Sequence, residues 1–154
     1  MVQDVGSGHP VHLVKLGITL EQAANLRKLA DYLLTLPAQY PDFEMASYAK
    51  NVDASDLVTV PECGTAACAA GHGPLAGVRP LFGETWDTYS HRAFASKDDA
   101  WSWCFSASWA WVDNTAHGAA RRILWLLKSG VPDDAMEQAA CEAPLCYLAE
   151  QASA

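Results

Sequence analysis

Two cysteines and a histidine fall within ten residues of one another in PECGTAACAAGHGP, residues 61–74. Cys63, Cys68 and His72 are residue types that bind zinc. Cys68 and His72 stand at i and i+4, which on a helix puts both on one face. A structural zinc site takes four ligands, usually in pairs such as C-x₂₋₄-C and H-x₃₋₅-H. Here the fourth ligand would have to come from far along the chain, from His91, Cys104 or His117, and no second pair is present. The metal site Cys63, Cys68 and His72 is therefore a secondary expectation.

The same stretch offers a nucleophile. Cys63 precedes a run of small residues, GTAACAA, that predicts a short helix. Backbone N–H groups and the dipole at a helix start stabilise a thiolate, and they can also stabilise an oxyanion. The chain order Cys63, His91, then Asp113 or Asn114 allows a Cys–His–Asx arrangement if the fold brings those residues together. Free cysteine is also among the most buried residue types, so a packed or capping Cys63 is the plainer expectation. A Cys63–Cys68 disulfide is disfavoured, because five positions along one helix hold the two Cα atoms too far apart. His72, between Gly71 and Gly73, is expected to end the helix and bond a backbone carbonyl.

A third group could bind rather than react. On a helix over 115–129, Gly118, Arg121, Arg122, Trp125 and Lys128 fall opposite the apolar stripe. Arg121 and Trp125, at i and i+4, can stack as a cation–π pair. If a terminal segment does not cover Trp125, then Trp125, Arg121, Arg122 and Lys128 form a surface for a protein or a small anionic ligand.

The elements that position these residues are mostly helices. TLEQAANLRKLADYLLTLP has a capping box at Thr19 and Gln22, a stripe of Ala23, Leu26, Leu29, Ala30, Leu33 and Leu36, and a stop at Pro37. TAHGAARRILWLLKSGVP has Thr115 as N-cap, a buried stripe of Ala116, Ala119, Ala120, Ile123 and Leu127, then Gly130 and Pro132. SKDDAWSWCF predicts a third helix capped by Ser96 with Asp99, and PDDAMEQAACEA a short fourth capped by Asp133. PLAGVRPLFG reads as a turn of helix followed by a loop. VDNT, 112–115, reads as an Asx turn leading into the Thr115 cap. Trp101, Trp103, Trp109 and Trp111 are expected in or beneath the core.

The fold class expected is mainly α. One compact helical domain spans 1–154, with an extended arm at 1–18, room for a small β element near residues 43–60, and a frayed tail at 150–154. The two long stripes are expected to pack through the alanine-rich helix at 64–70.

The chain has 154 residues, is 51% hydrophobic and carries six tryptophans, enough for one sizeable core. Its net charge of −8 works against broad nucleic-acid binding and against anionic membranes. No apolar run approaches the roughly 20 residues of a membrane span, and the first residues lack the pattern of a signal peptide. Five cysteines, an odd number, suit reduced thiols, so a cytoplasmic location is expected. No cofactor is expected.

CGTAACAAGHGPLAG and FSASWAWVDNTAHGAARRILWLL resemble stretches of small, largely uncharacterised proteins encoded in bacterial and phage genomes. The resemblance covers roughly residues 60–132 and implies a small accessory protein. It brings no activity, cofactor or catalytic residue with it. The function expected is a small soluble binding protein, an accessory or inhibitory protein of a phage or mobile element. The alternative is a cysteine-dependent hydrolase or transferase using Cys63, His91 and Asp113.

Overall fold

The computed structural model describes residues 10–37, 43–45, 55–58, 68–107, 109 and 114–131. Within them the chain is mainly helical. It forms α1 (Val11–Lys15), α2 (Leu20–Thr35), a 3₁₀ turn (Ala70–His72), α3 (Trp86–Ala93), α4 (Asp98–Phe105) and α5 (Ala116–Ser129).

The two strongest sequence patterns become the two longest helices. The Thr19 hydroxyl accepts from the Gln22 amide and the Gln22 side chain accepts from the Thr19 amide, closing the capping box of α2. Thr115 caps α5 by accepting from the Gly118 amide at 3.0 Å, and Gly130 ends it. Leu26, Leu29, Ala30 and Leu33 of α2 are fully buried, as are Ala116, Ala119, Ala120, Ile123 and Leu126 of α5. The alanines bring the two backbones close, and α2 with α5 is the most extensive helix pair. The pairing is therefore direct. Of the alanine helix expected between them at 64–70, positions 64–67 lie outside the described residues, and Ala69 and Ala70 belong to a turn and the 3₁₀ segment.

Three further expectations change. Of the extended arm expected at 1–18, residues 1–9 lie outside the described residues and Val11–Lys15 is helical; Leu13 and Ile18 both reach the core, tied by Ile18 N donating to the Leu13 carbonyl at 2.9 Å. Ser96 does not cap α4. Lys97 is the N-cap residue, and the Ser96 hydroxyl instead lies 3.1 Å from Gln22 Nε2 and donates to the His91 carbonyl. Near 43–60 there is no strand among the described residues. Leu57 pairs with Thr85 in one antiparallel bridge, through Val58 N to Glu84 O and Trp86 N to Asp56 O, both 3.0 Å. The ladder stops there because Thr85 is already the N-cap of α3.

Helix C-termini leave carbonyls without intrahelical donors, and here side chains from distant elements supply them. Gln22 Nε2 reaches the carbonyls of His91 and Arg92, and Asn25 donates to that of Ala93 at 3.0 Å, closing the end of α3. His117 Nε2 meets the Leu36 carbonyl at 2.7 Å at the end of α2. His12 Nε2 meets the Leu127 carbonyl at 3.0 Å and fastens α1 across the end of α5.

The aromatic core sits between α4 and α5. Trp103 and Trp109 pack edge to face at 5.3 Å, and Trp103 Nε1 donates to the Arg122 carbonyl. Arg122 is fully buried, with its guanidinium 4.2 Å from the centre of the Trp109 ring. A cation held against an aromatic face away from water contributes about 2 kcal/mol or more. Arg122→Ala should therefore lower unfolding stability by at least about 2 kcal/mol. Arg121→Ala, at an exposed position one residue earlier, should stay within about 0.5 kcal/mol of the parent. Urea denaturation of the two variants checks this; equal losses would place Arg122 outside the core.

Candidate docking surface

Among the described residues, those singled out by their chemistry are not gathered into one site. Cys63 and Asp113 lie outside the described residues. His91 sits half-buried on α3, its Nδ1 2.8 Å from the Asp87 carbonyl and 3.4 Å from the Asp87 carboxylate, its ring stacked on Trp101 at 4.9 Å. Asn114 clamps another segment: its carbonyl oxygen accepts from the Met45 amide at 2.7 Å, and its amide donates to Glu44. His117 is the cap of α2 described above.

Cys68 and His72 are buried in the core. His72 lies against the Phe43 ring, 5.8 Å between centres and nearly parallel, with Tyr32 on another side. Burial pushes the Cys68 thiol up to about 11 and the Cys104 thiol up to about 12. Burial favours the protonated thiol at both positions, the opposite of what activates a cysteine nucleophile. Among the described residues no three of His, Cys, Asp and Glu are grouped to hold a metal ion.

The Trp/Arg surface is divided. Arg121 and Lys128 are exposed, Arg122 and Gly118 are buried, and Trp125 is half-buried against the core. The reason is the narrow polar face of α5. With α2 on one side and α4 on the other, the Arg122 position turns inward over Trp109.

A different surface emerges from the loop between the 3₁₀ turn and α3. Four large apolar side chains are exposed here: Leu75 at 41%, Leu81 at 59%, Phe82 at 107% and, across the bridge to Thr85, Leu57 at 62%. Phe82 occupies the second position of a four-residue turn closed by Glu84 N to Leu81 O at 3.2 Å. Gly83 follows at φ +81°, a left-handed value that a side chain resists and that the third position of a type II turn demands.

The turn is tightly held. The Glu84 carboxylate accepts from the Leu81 amide at 2.6 Å and takes Nε and Nη2 of Arg92 in a two-pronged ion pair. Arg92 Nη2 also donates to the Arg79 carbonyl. Tyr89 Oη donates to the Val78 carbonyl from within the core. Gly73 lets this happen: a side chain there would run into the Tyr89 hydroxyl and Phe94. A hollow of about 430 Å³ lies beside the turn, lined by Pro74, Gly77, Arg79 and Pro80. Apolar side chains on a turn pinned at both ends by hydrogen bonds suit docking, because a preformed turn loses less conformational freedom on binding.

The sequence carried a sign of this loop in VRPLFGET. Pro80 and Gly83 mark a turn, and turn tips are ordinarily polar, whereas this one carries Leu81 and Phe82. No known protein family, curated protein or solved structure matches the chain.

The ion pair makes the loop sensitive to acid. Hydrogen bonding from Arg92 holds the Glu84 carboxyl below the ordinary carboxylate range, and the same bond raises Arg92. A carboxylate lowered in the folded state adds stability above its unfolded pKa of about 4.3, and that stability is lost as pH falls through the folded value. The melting temperature of the parent should exceed that of Glu84→Gln at pH 7, and the gap should shrink toward pH 3. A gap equal at both pH values would show that Glu84 is not held as a paired carboxylate.

Proposed function

We propose that this protein is a small helical docking module that acts by binding, with the Leu75–Glu84 loop as its contact surface and Phe82 as its anchor. One observation carries the proposal: Phe82 is wholly exposed on a turn whose ends, Leu81 and Glu84, are joined by a backbone hydrogen bond and held by the Glu84 carboxylate and its ion pair with Arg92. Burying an aromatic of this size removes roughly 150–250 Å² from water, and aromatic anchors dominate interface energetics. The accessory or inhibitory role implied by the resemblance of residues 60–132 suits such a module, since it asks for recognition rather than chemistry. The surface of Arg121, Lys128 and the half-buried Trp125 is secondary in this proposal, because the burial of Arg122 breaks it up.

Replacing Phe82 with a photoreactive benzoylphenylalanine and irradiating the protein in a bacterial lysate tests the proposal. A discrete adduct should form from position 82 and not from the exposed position 28 on α2. Irradiation that yields no adduct from position 82, or the same smear from both positions, would reject this loop as the docking element.

A further inference from the structure

We propose that the loop docks onto a second copy of this chain, with Phe82 of each molecule entering the hollow beside Arg79 of the other. The inference deepens the docking proposal above and rests on it.

The first ground is the juxtaposition of knob and hole. Phe82 and the hollow lined by Pro74, Gly77, Arg79 and Pro80 belong to one loop and stand side by side. A two-fold contact needs an anchor and its acceptor on one face, because residue i meets residue j while j meets i across the axis. Their places on one loop meet that need.

The second ground is the fit. The hollow, about 430 Å³, falls within the range of roughly 300–1,000 Å³ that holds small ligands, so it admits one aromatic ring. Two prolines give it apolar walls. Gly77 contributes no side chain, and the space beside it is open. The exposed Arg79 guanidinium can sit over the face of an incoming ring as a cation–π partner.

The third ground is area. Leu57, Leu75, Leu81 and Phe82 are 41–107% exposed, and burying them on two copies makes a patch in the size class of weak, transient contacts, below roughly 1,200 Å². Charge sets the expected strength. The net charge of −8 on each chain opposes association, but Glu84 is neutralised by Arg92 and Arg79 adds a positive charge, so the acidic excess is muted at this patch. The contact is thus weak at low salt and tightens as salt screens the long-range repulsion.

Sedimentation velocity of the full chain over about 5–500 µM tests the proposal, since that range brackets weak association. The mass should rise with concentration toward twice the 16.6 kDa of one chain, and more steeply at higher salt. Phe82→Ala and Arg79→Glu should each weaken association by at least about tenfold with melting temperatures unchanged. In purified protein, benzoylphenylalanine at position 82 should cross-link to residues 74–80 of a second chain. A parent that stays monomeric throughout while position 82 captures other proteins from a lysate would overturn the second copy and leave the docking proposal standing. A dimer that survives Phe82→Ala would place the interface elsewhere. A monomer with no adduct in any setting would overturn both.

Discussion

Helix α3 holds the loop that precedes it, and the surface of the molecule depends on that hold. Arg92, in its last turn, reaches back to Glu84 and to the Arg79 carbonyl, while Tyr89, one turn earlier, donates to the Val78 carbonyl. The two side chains project from neighbouring faces of one helix and fasten a segment that has no secondary structure of its own. Loops with many solvent-facing polar groups usually open at low cost. This one is closed by a buried phenol and a two-pronged ion pair. Burial holds the Tyr89 hydroxyl protonated, so it remains a donor.

That hold in turn depends on α3 being fixed to the rest of the fold. Its C-terminal carbonyls are met by Gln22 and Asn25 of α2, and Trp101 of α4 donates to Ser90. Beneath them lies the aromatic core, where Tyr89 packs edge to face on Trp86 and Phe94. Tyr89 joins the core to the loop, its ring inside and its hydroxyl at the loop backbone, and Val78 of the loop is itself buried in the core.

Much of this architecture was legible in the sequence. The capping box at Thr19 and Gln22, the cap at Thr115 and the stop at Gly130 are local devices, and local devices read well. What the sequence hid was long-range. Nothing in the spacing of α5 shows that Arg122 turns inward over Trp109, because that depends on α4 lying beside it. His117, read from the sequence as a distant metal ligand, is a fastening, and so is His12, for which the sequence offered no role: both meet helix-end carbonyls that only the tertiary arrangement brings near. The candidate docking loop was missed for a similar reason: a turn is visible in PLFG, but the side chains that hold the loop, Arg92 and Tyr89, bond to positions 8 to 13 residues earlier. Cys63 and Asp113, the centre of the catalytic alternative, lie outside the described residues.

A prepared anchor requires Phe82 to be both exposed and rigid. Backbone ¹⁵N relaxation of the loop amides measures that combination directly. An order parameter near about 0.85 for Phe82 and Gly83, equal to that of α2, is the result predicted. Values below about 0.6 across 80–84, with the helices rigid, would contradict it. They would mean that the ion pair of Glu84 and Arg92 does not hold the turn, and that Phe82 is the tip of a flexible loop rather than a prepared anchor.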